Sequence, residues 1–197
     1  MVKAVIFDLD GVIIQSQKFS ERFHEKFGVS MEEFIPALKD IMAKVRKPGA
    51  GEAFAYWKPY LDKWGVNLSE EDFFSFWFSA EKEMPELIEL AKQIKSKGVK
   101  IFILSNNFAE RAEYYSKSFS FLNNFDKVYY SWQTGFVKPD KEAFKNLLSE
   151  NNLKPDECIY FDNSKENIDS ANGVGIKSFL FETSAGFEKT LKEYNLI

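Results

Sequence analysis

Two aspartates, Asp8 and Asp10, stand two residues apart directly after a short apolar run over residues 2–7. Like charges held this close repel, and a divalent cation between them would offset the cost. Mg²⁺ prefers oxygen ligands in an octahedral shell and usually keeps waters and substrate phosphate oxygens. Beside such a cation, Asp8 suits a nucleophile on phosphorus, since carboxylates form acyl phosphates. Asp10 suits the acid that protonates a leaving group and then the base that takes a proton from water. Ser105 and nearby backbone N–H groups could hold phosphoryl oxygens. Lys138 would set a positive charge against the charge that shifts in the transition state. Asp162 would be a more remote metal ligand, with Asn163, Ser164 and Asn167 orienting it or its waters.

These residues are scattered in sequence, so the elements carrying them must bring them together. Residues 2–7 are mostly apolar and β-branched and read as a buried strand, with Gly11 allowing a tight turn after it. Strands are expected again over 99–104, 127–131, 158–161 and 175–181, alternating with helices over 85–97, 110–118, 140–151, 164–172 and 185–194. Such alternation implies a parallel sheet with right-handed crossovers and helices on both faces, a Rossmann-like α/β fold. In open parallel sheets the site lies outside the carboxyl ends of the strands. Asp8-Leu9-Asp10-Gly11, Ser105-Asn106-Asn107 and Asp162-Asn163-Ser164 all fall there, and Lys138 precedes Pro139 at a helix start. Each has a plain alternative taken singly: a turn for Asp10-Gly11, a helix cap for Ser105, Asn163 or Ser164, a solvated side chain for Lys138. Their joint placement at successive strand ends favours one pocket.

Residues 17–80 lack strand signals. Phe19, Phe23 and Phe27 recur at helical spacing, with Gly28 as the stop, and Phe34, Leu38, Ile41 and Val45 repeat the pattern. Phe54, Trp57, Leu61 and Trp64 form a third stripe, with Pro59 as a kink point. Ser69 caps a fourth helix carrying Phe73, Phe74, Phe76, Trp77 and Phe78 as helical core. The expected division is an α/β core over 1–14 and 82–197, interrupted by an all-helical cap over 15–81. His24 is expected on a helix surface and Cys158 in the core, and the basic run Lys44, Arg46, Lys47 reads as a solvated helix end.

Composition narrows the function. The chain of 197 residues is 45% hydrophobic, enough for a sizeable core, and carries a net charge of -4. A mildly acidic chain has little global attraction for nucleic acid or anionic lipid. One cysteine and one histidine exclude a disulfide framework and a Cys- or His-rich zinc site. No stretch has the 18 or more apolar residues of a membrane span, and the start is unlike a signal peptide. A cytoplasmic protein, monomeric or homodimeric, with neither nucleic acid nor membrane as partner, is expected.

The four segments together resemble the haloacid dehalogenase-like hydrolase superfamily. Its first motif matches Phe7–Val12 (FDLDGV), its second Ser105-Asn106, its third Lys138-Pro139-Asp140, and its fourth Phe161 to Asn167. The insert after the first motif resembles the branch with a small helical cap. The resemblance implies Asp8 as nucleophile and metal ligand, and Asp10 as acid/base with its backbone carbonyl on Mg²⁺. It implies Ser105 as a phosphate ligand backed by the Asn106 amide, Lys138 as the residue steadying nucleophile and phosphoryl group, and Asp162 as the last metal ligand. Where the fourth motif often carries two adjacent acids, the second here is Asn163, one negative charge fewer. The dehalogenase branch typically has tyrosine where this chain has Asp10. A Mg²⁺-dependent phosphatase acting on a small phosphorylated metabolite is therefore expected, ahead of a phosphomutase or a weakened binding homologue.

Overall fold

A computed structural model describes all residues, 1–197. Its centre is a five-stranded sheet of β1 (Ala4–Phe7), β4 (Lys100–Ser105), β5 (Lys127–Tyr130), β6 (Cys158–Asp162) and β7 (Lys177–Leu180). The order is β5-β4-β1-β6-β7 and every pairing is parallel, so the strands share one carboxyl edge. β1 lies in the middle: Ala4 pairs with Lys100 on one side and with Cys158 on the other.

Residues alternate between the two faces, as the pleat requires. Val5, Phe7, Ile101, Ile103, Ile159 and Phe161 belong to one apolar cluster, which includes residues of α5 (Pro85–Ser96), α6 (Ala109–Ser118) and α10 (Ser184–Glu193). Ala4, Ile6, Phe102, Leu104, Cys158 and Tyr160 belong to another, with α8 (Lys141–Glu150) and α9 (Lys165–Asn172). Both faces are buried, which is why the strands read as continuous apolar runs.

Four helices, α1 (Phe19–Phe27), α2 (Met31–Val45), α3 (Ala53–Lys63) and α4 (Glu70–Phe78), build a third cluster of their own. Gly28, at φ 71°, closes α1, and the Ser69 hydroxyl accepts the Asp72 N–H at the start of α4. α3 runs on through Pro59 without a break. Phe73 is fully buried and is ringed by Phe19, Phe23, Phe54, Trp57, Phe74 and Trp77 at centroid distances of 5.3–6.5 Å. Phe19 stacks flat on Trp77 at 4.2 Å. Phe76 is half-buried at the edge of the cluster, against Phe19, Phe23 and Phe27, with the Arg22 guanidinium over its ring. Phe108, from the loop after β4, plugs into this aromatic cluster. Phe73→Ala is expected to cost about 3–5 kcal/mol, as for other large-to-small changes at a fully buried aromatic. A lower midpoint in denaturant unfolding would register it.

Two features have no counterpart in the sequence reading. β2 (Ile14–Gln15) and β3 (Lys82–Glu83) form a short antiparallel ribbon where the chain enters and leaves the helical insert. A one-turn helix, α7 (Ser131–Thr134), follows β5 directly. His24 is exposed and Cys158 buried, as expected. No helix is long and apolar enough to cross a membrane.

Candidate active site

The carboxyl edge of the sheet gathers the polar residues because β1, β4 and β6 are hydrogen-bonded neighbours, with β6 running one residue and β4 two residues past the end of β1. Asp8 follows β1, Ser105 closes β4 and Asp162 closes β6. Asp8, Asp10, Arg46, Asn106, Arg111, Lys138 and Asn167 line a cavity of about 190 Å³. The turn after Asp8 is tight. Gly11 sits at φ 86°, and a Cβ there would collide with the Asn163 amide. Only glycine meets both demands.

Lys138 is the electrostatic centre. Its Nζ donates to Asp8 Oδ1 at 2.8 Å and to Asp162 Oδ2 at 2.8 Å, and its side chain is 2% exposed. Tyr160, beneath it on β6, lies 3.1 Å from the same Nζ and hydrogen-bonds Asp162. Burial works against the lysine's charge, but Asp8 and Asp162 outweigh it and hold the Lys138 pKa above the usual value. Burial pushes the Asp8 carboxyl up to about 7, opposed by Lys138 and reinforced by Asp162 and Asp10. The loop bearing Lys138 is pinned to the second strand end. Asn106 Nδ2 donates to the Lys138 carbonyl at 2.7 Å, and its Oδ1 accepts the Lys138 N–H at 2.8 Å.

Asp162 is fully buried and accepts from Ser164 N–H through Oδ1, and from Lys138, Tyr160 and Asn167 through Oδ2. Asn167 thus touches Asp162 through its side chain, and Ser164 through its backbone only. Asn163, expected to orient Asp162, instead lies against Gly11. Asp169, further along α9, pairs with Lys165.

Asp10 turns its carboxylate away from Asp8. Its Oδ1 takes the Arg111 guanidinium at 2.7 Å and the Tyr115 hydroxyl at 2.6 Å, and its Oδ2 takes Asn107 Nδ2 at 3.2 Å and Ser105 Oγ at 3.5 Å. Arg111 and Tyr115 also reach Glu81, in the connector before β3, at 2.7 and 3.1 Å. Burial, with Asp10 nearby, raises the Glu81 carboxyl pKa against the pull of Arg111.

The three carboxylates pair with two different cations, Asp8 and Asp162 with Lys138 and Asp10 with Arg111, and no three acidic, histidine or cysteine side chains gather as a cluster. The remaining donors still fit a hard divalent cation. Asp8 Oδ2 and the Asp10 carbonyl oxygen accept no hydrogen bond, and Asp8 carries the burial cost that a nearby cation would relieve. The Asn106 N–H is likewise unpaired in the cavity wall, as a phosphate ligand should be.

Five residues at the site were not singled out as site residues from the sequence, Tyr160 beneath Lys138 among them. Arg46 reaches the cavity from the end of α2, and its Nε is buried without a partner. Burial lowers its pKa. Glu81, Arg111 and Tyr115 flank Asp10. The one available signal was the Arg111–Tyr115 spacing of four on α6, which puts both side chains on one helix face.

Known proteins carry the same chain organisation. A mouse acyl-CoA dehydrogenase family member 10 is 29% identical over 88% of this chain, which spans only 17% of that protein's length. A D-ribitol-5-phosphate phosphatase from Bacteroides thetaiotaomicron is 24% identical over 97% of both chains. Among solved structures, a HAD family enzyme of the same bacterium, in complex with magnesium and inorganic phosphate, superposes with a TM-score of 0.79 at 20% identity, covering 92% of this chain and 95% of that one. That likeness is one of fold. The sequence model of the haloacid dehalogenase-like hydrolases matches residues 2–175, taking in all four strand-end segments and the helical insert, and this chain belongs to that family.

Proposed function

We propose that the protein is a Mg²⁺-dependent phosphatase acting on the phosphate monoester of a small metabolite. One observation carries the reading above the rest: Lys138 holds the Asp8 carboxylate by one oxygen, while the other oxygen stays unpaired at a polar cavity. An anchored, desolvated carboxylate with a free oxygen suits nucleophilic attack. The phosphatase among the relatives and the magnesium- and phosphate-bound structural neighbour support the same reading.

Asp8 attacks phosphorus, the ester oxygen departs, and Asp10 gives that oxygen its proton. Asp8 is left as an aspartyl-phosphate. Water then attacks phosphorus, Asp10 takes the proton back, and phosphate and free Asp8 result. Lys138, Ser105 and the Asn106 N–H hold the phosphoryl oxygens. We assign Mg²⁺ to Asp8, the Asp10 carbonyl and Asp162, the last exchanging one of its hydrogen bonds. Bound there, the ion would neutralise phosphoryl and carboxylate charge. Residues 15–81 act as the cap that keeps bulk water out, joined to the core of 1–14 and 82–197 at the β2–β3 ribbon. Beside the catalytic cavity, Ser16, Gln17, Phe19, Leu38, Met42 and Trp77 help line a space of about 180 Å³. It suits a small leaving group with an apolar side. The one cysteine, buried and unpaired, suits a reducing compartment such as the cytoplasm.

A panel of metabolite phosphates tests this. Phosphate release with millimolar Mg²⁺ should fall by about 100-fold or more when a chelator is added, and return with Mg²⁺. Isomer formation without free phosphate would instead mark a phosphomutase. Silence across the panel, with a phosphate monoester of every common metabolite class present, would remove the phosphatase assignment.

A further inference from the structure

We infer that Glu81, Arg111 and Tyr115 are positioning residues that aim the Asp10 carboxylate and let it swing from them to a leaving group. This rests on the phosphatase reading above. Asp10 must release its present partners whenever it turns to a leaving group. Those partners are buried: the Arg111 side chain is 13% exposed and Tyr115 is fully buried. A buried donor that loses its acceptor is costly. Glu81 supplies the second acceptor. Its side chain is 1% exposed, its Oε1 already accepts Arg111 Nε at 3.0 Å and Nη2 at 2.7 Å, and its Oε2 lies 3.1 Å from the Tyr115 hydroxyl.

The tyrosine hydroxyl has one proton and two carboxylates within reach, at 2.6 Å on Asp10 and 3.1 Å on Glu81. Arg111 likewise bridges the two acids through one nitrogen. When Asp10 leaves, both donors stay satisfied on Glu81. Without Glu81, Arg111 and Tyr115 have Asp10 as their only shared carboxylate, and Asp10 cannot turn to a leaving group without stranding both donors. The surroundings leave few other partners. Asn107 and Ser105 face the opposite oxygen of Asp10, and Arg46 pairs with no carboxylate. Glu81 sits one residue before β3, so this set also ties Asp10 to the connector between the helical insert and the sheet.

Leaving-group dependence tests the role, because p-nitrophenolate departs unprotonated while phenolate gains from a proton. The kcat/KM of the wild-type protein, Glu81→Gln, Tyr115→Phe and Asp10→Asn would be measured on p-nitrophenyl phosphate and on phenyl phosphate with Mg²⁺. Glu81→Gln is expected to lose about 30-fold or more on phenyl phosphate and less than about threefold on p-nitrophenyl phosphate, the pattern of a missing acid. Tyr115→Phe should share the pattern at smaller amplitude, and it keeps the test open if Glu81→Gln folds poorly. An equal loss on both esters, or none on either, in both variants overturns the inference. If the wild-type protein releases phosphate from neither ester, or Asp10→Asn shows no selectivity, the catalytic reading itself falls first.

Discussion

Asp8→Asn is expected to lower phosphate release by about 10⁴-fold or more, the scale on which removing an enzyme's nucleophile is felt. The amide cannot form the acyl phosphate, and it brings no charge to a metal. Stability should move the other way or not at all. Asp8 is 7% exposed and shares its surroundings with Asp162 and Asp10, which help push its carboxyl up to about 7. A neutral amide removes that repulsion while Lys138 keeps Asp162 as partner. The paired measurement is phosphate release together with the denaturant midpoint. Acid-quenched wild-type protein should carry a phosphoryl mass increment that the variant lacks. An active Asp8→Asn variant would exclude this carboxylate as nucleophile.

Lys138→Met is the second large effect, and it strikes the fold as well as the chemistry. The lysine is the cation between two buried carboxylates, 2.8 Å from each. Removing one member of a buried ion cluster leaves uncompensated charge and costs about 3–5 kcal/mol. Denaturant unfolding would show it. The deficit should shrink as pH falls. In the variant, Asp8 keeps the burial that raises its carboxyl pKa and loses the lysine that opposes it, so protonating Asp8 favours folding. A deficit unchanged between neutral and mildly acid pH would argue that lost packing, not stranded charge, is the cause. Phosphate release should vanish in either case, since Lys138 also steadies the transferring group.

Much of this could be read in the chain itself. The buried strands carry continuous apolar runs because both sheet faces are covered, and the helical insert shows its Phe19–Phe23–Phe27 spacing because one side of α1 is buried. Asp8, Asp10, Ser105 and Asp162 were legible because each stands at or near an abrupt end of an apolar run, and Lys138 because it precedes Pro139 at a helix start. Other residues gave no such signal. Glu81 lies in a connector among charged neighbours and looks like any solvated acid, although it is 7% exposed. Arg111 sits in a helix of low apolar content. Arg46 belongs to a basic run, and its approach to the cavity depends on how α2 lies over the sheet edge. Tyr160 reads as one more strand aromatic, yet its hydroxyl emerges below Lys138. The two-residue ribbon of β2 and β3 is too short to leave a periodicity. How three carboxylates divide between two cations is a matter of side-chain pairing across segments far apart in sequence, and no local pattern encodes it.

The central place of β1 has a consequence for how the molecule is made. Ala4 pairs with Lys100 and Cys158, so the strand leading to Asp8 is made well before the two strands that flank it. On a ribosome, the aromatic helices between Phe19 and Phe78 emerge as one contiguous block and can collapse by themselves, whereas β1 must wait as a bare apolar thread. The strand-end pocket therefore cannot form until β6 and Asn167 have been made, and β1 is a stretch for which a chaperone would have use in the meantime.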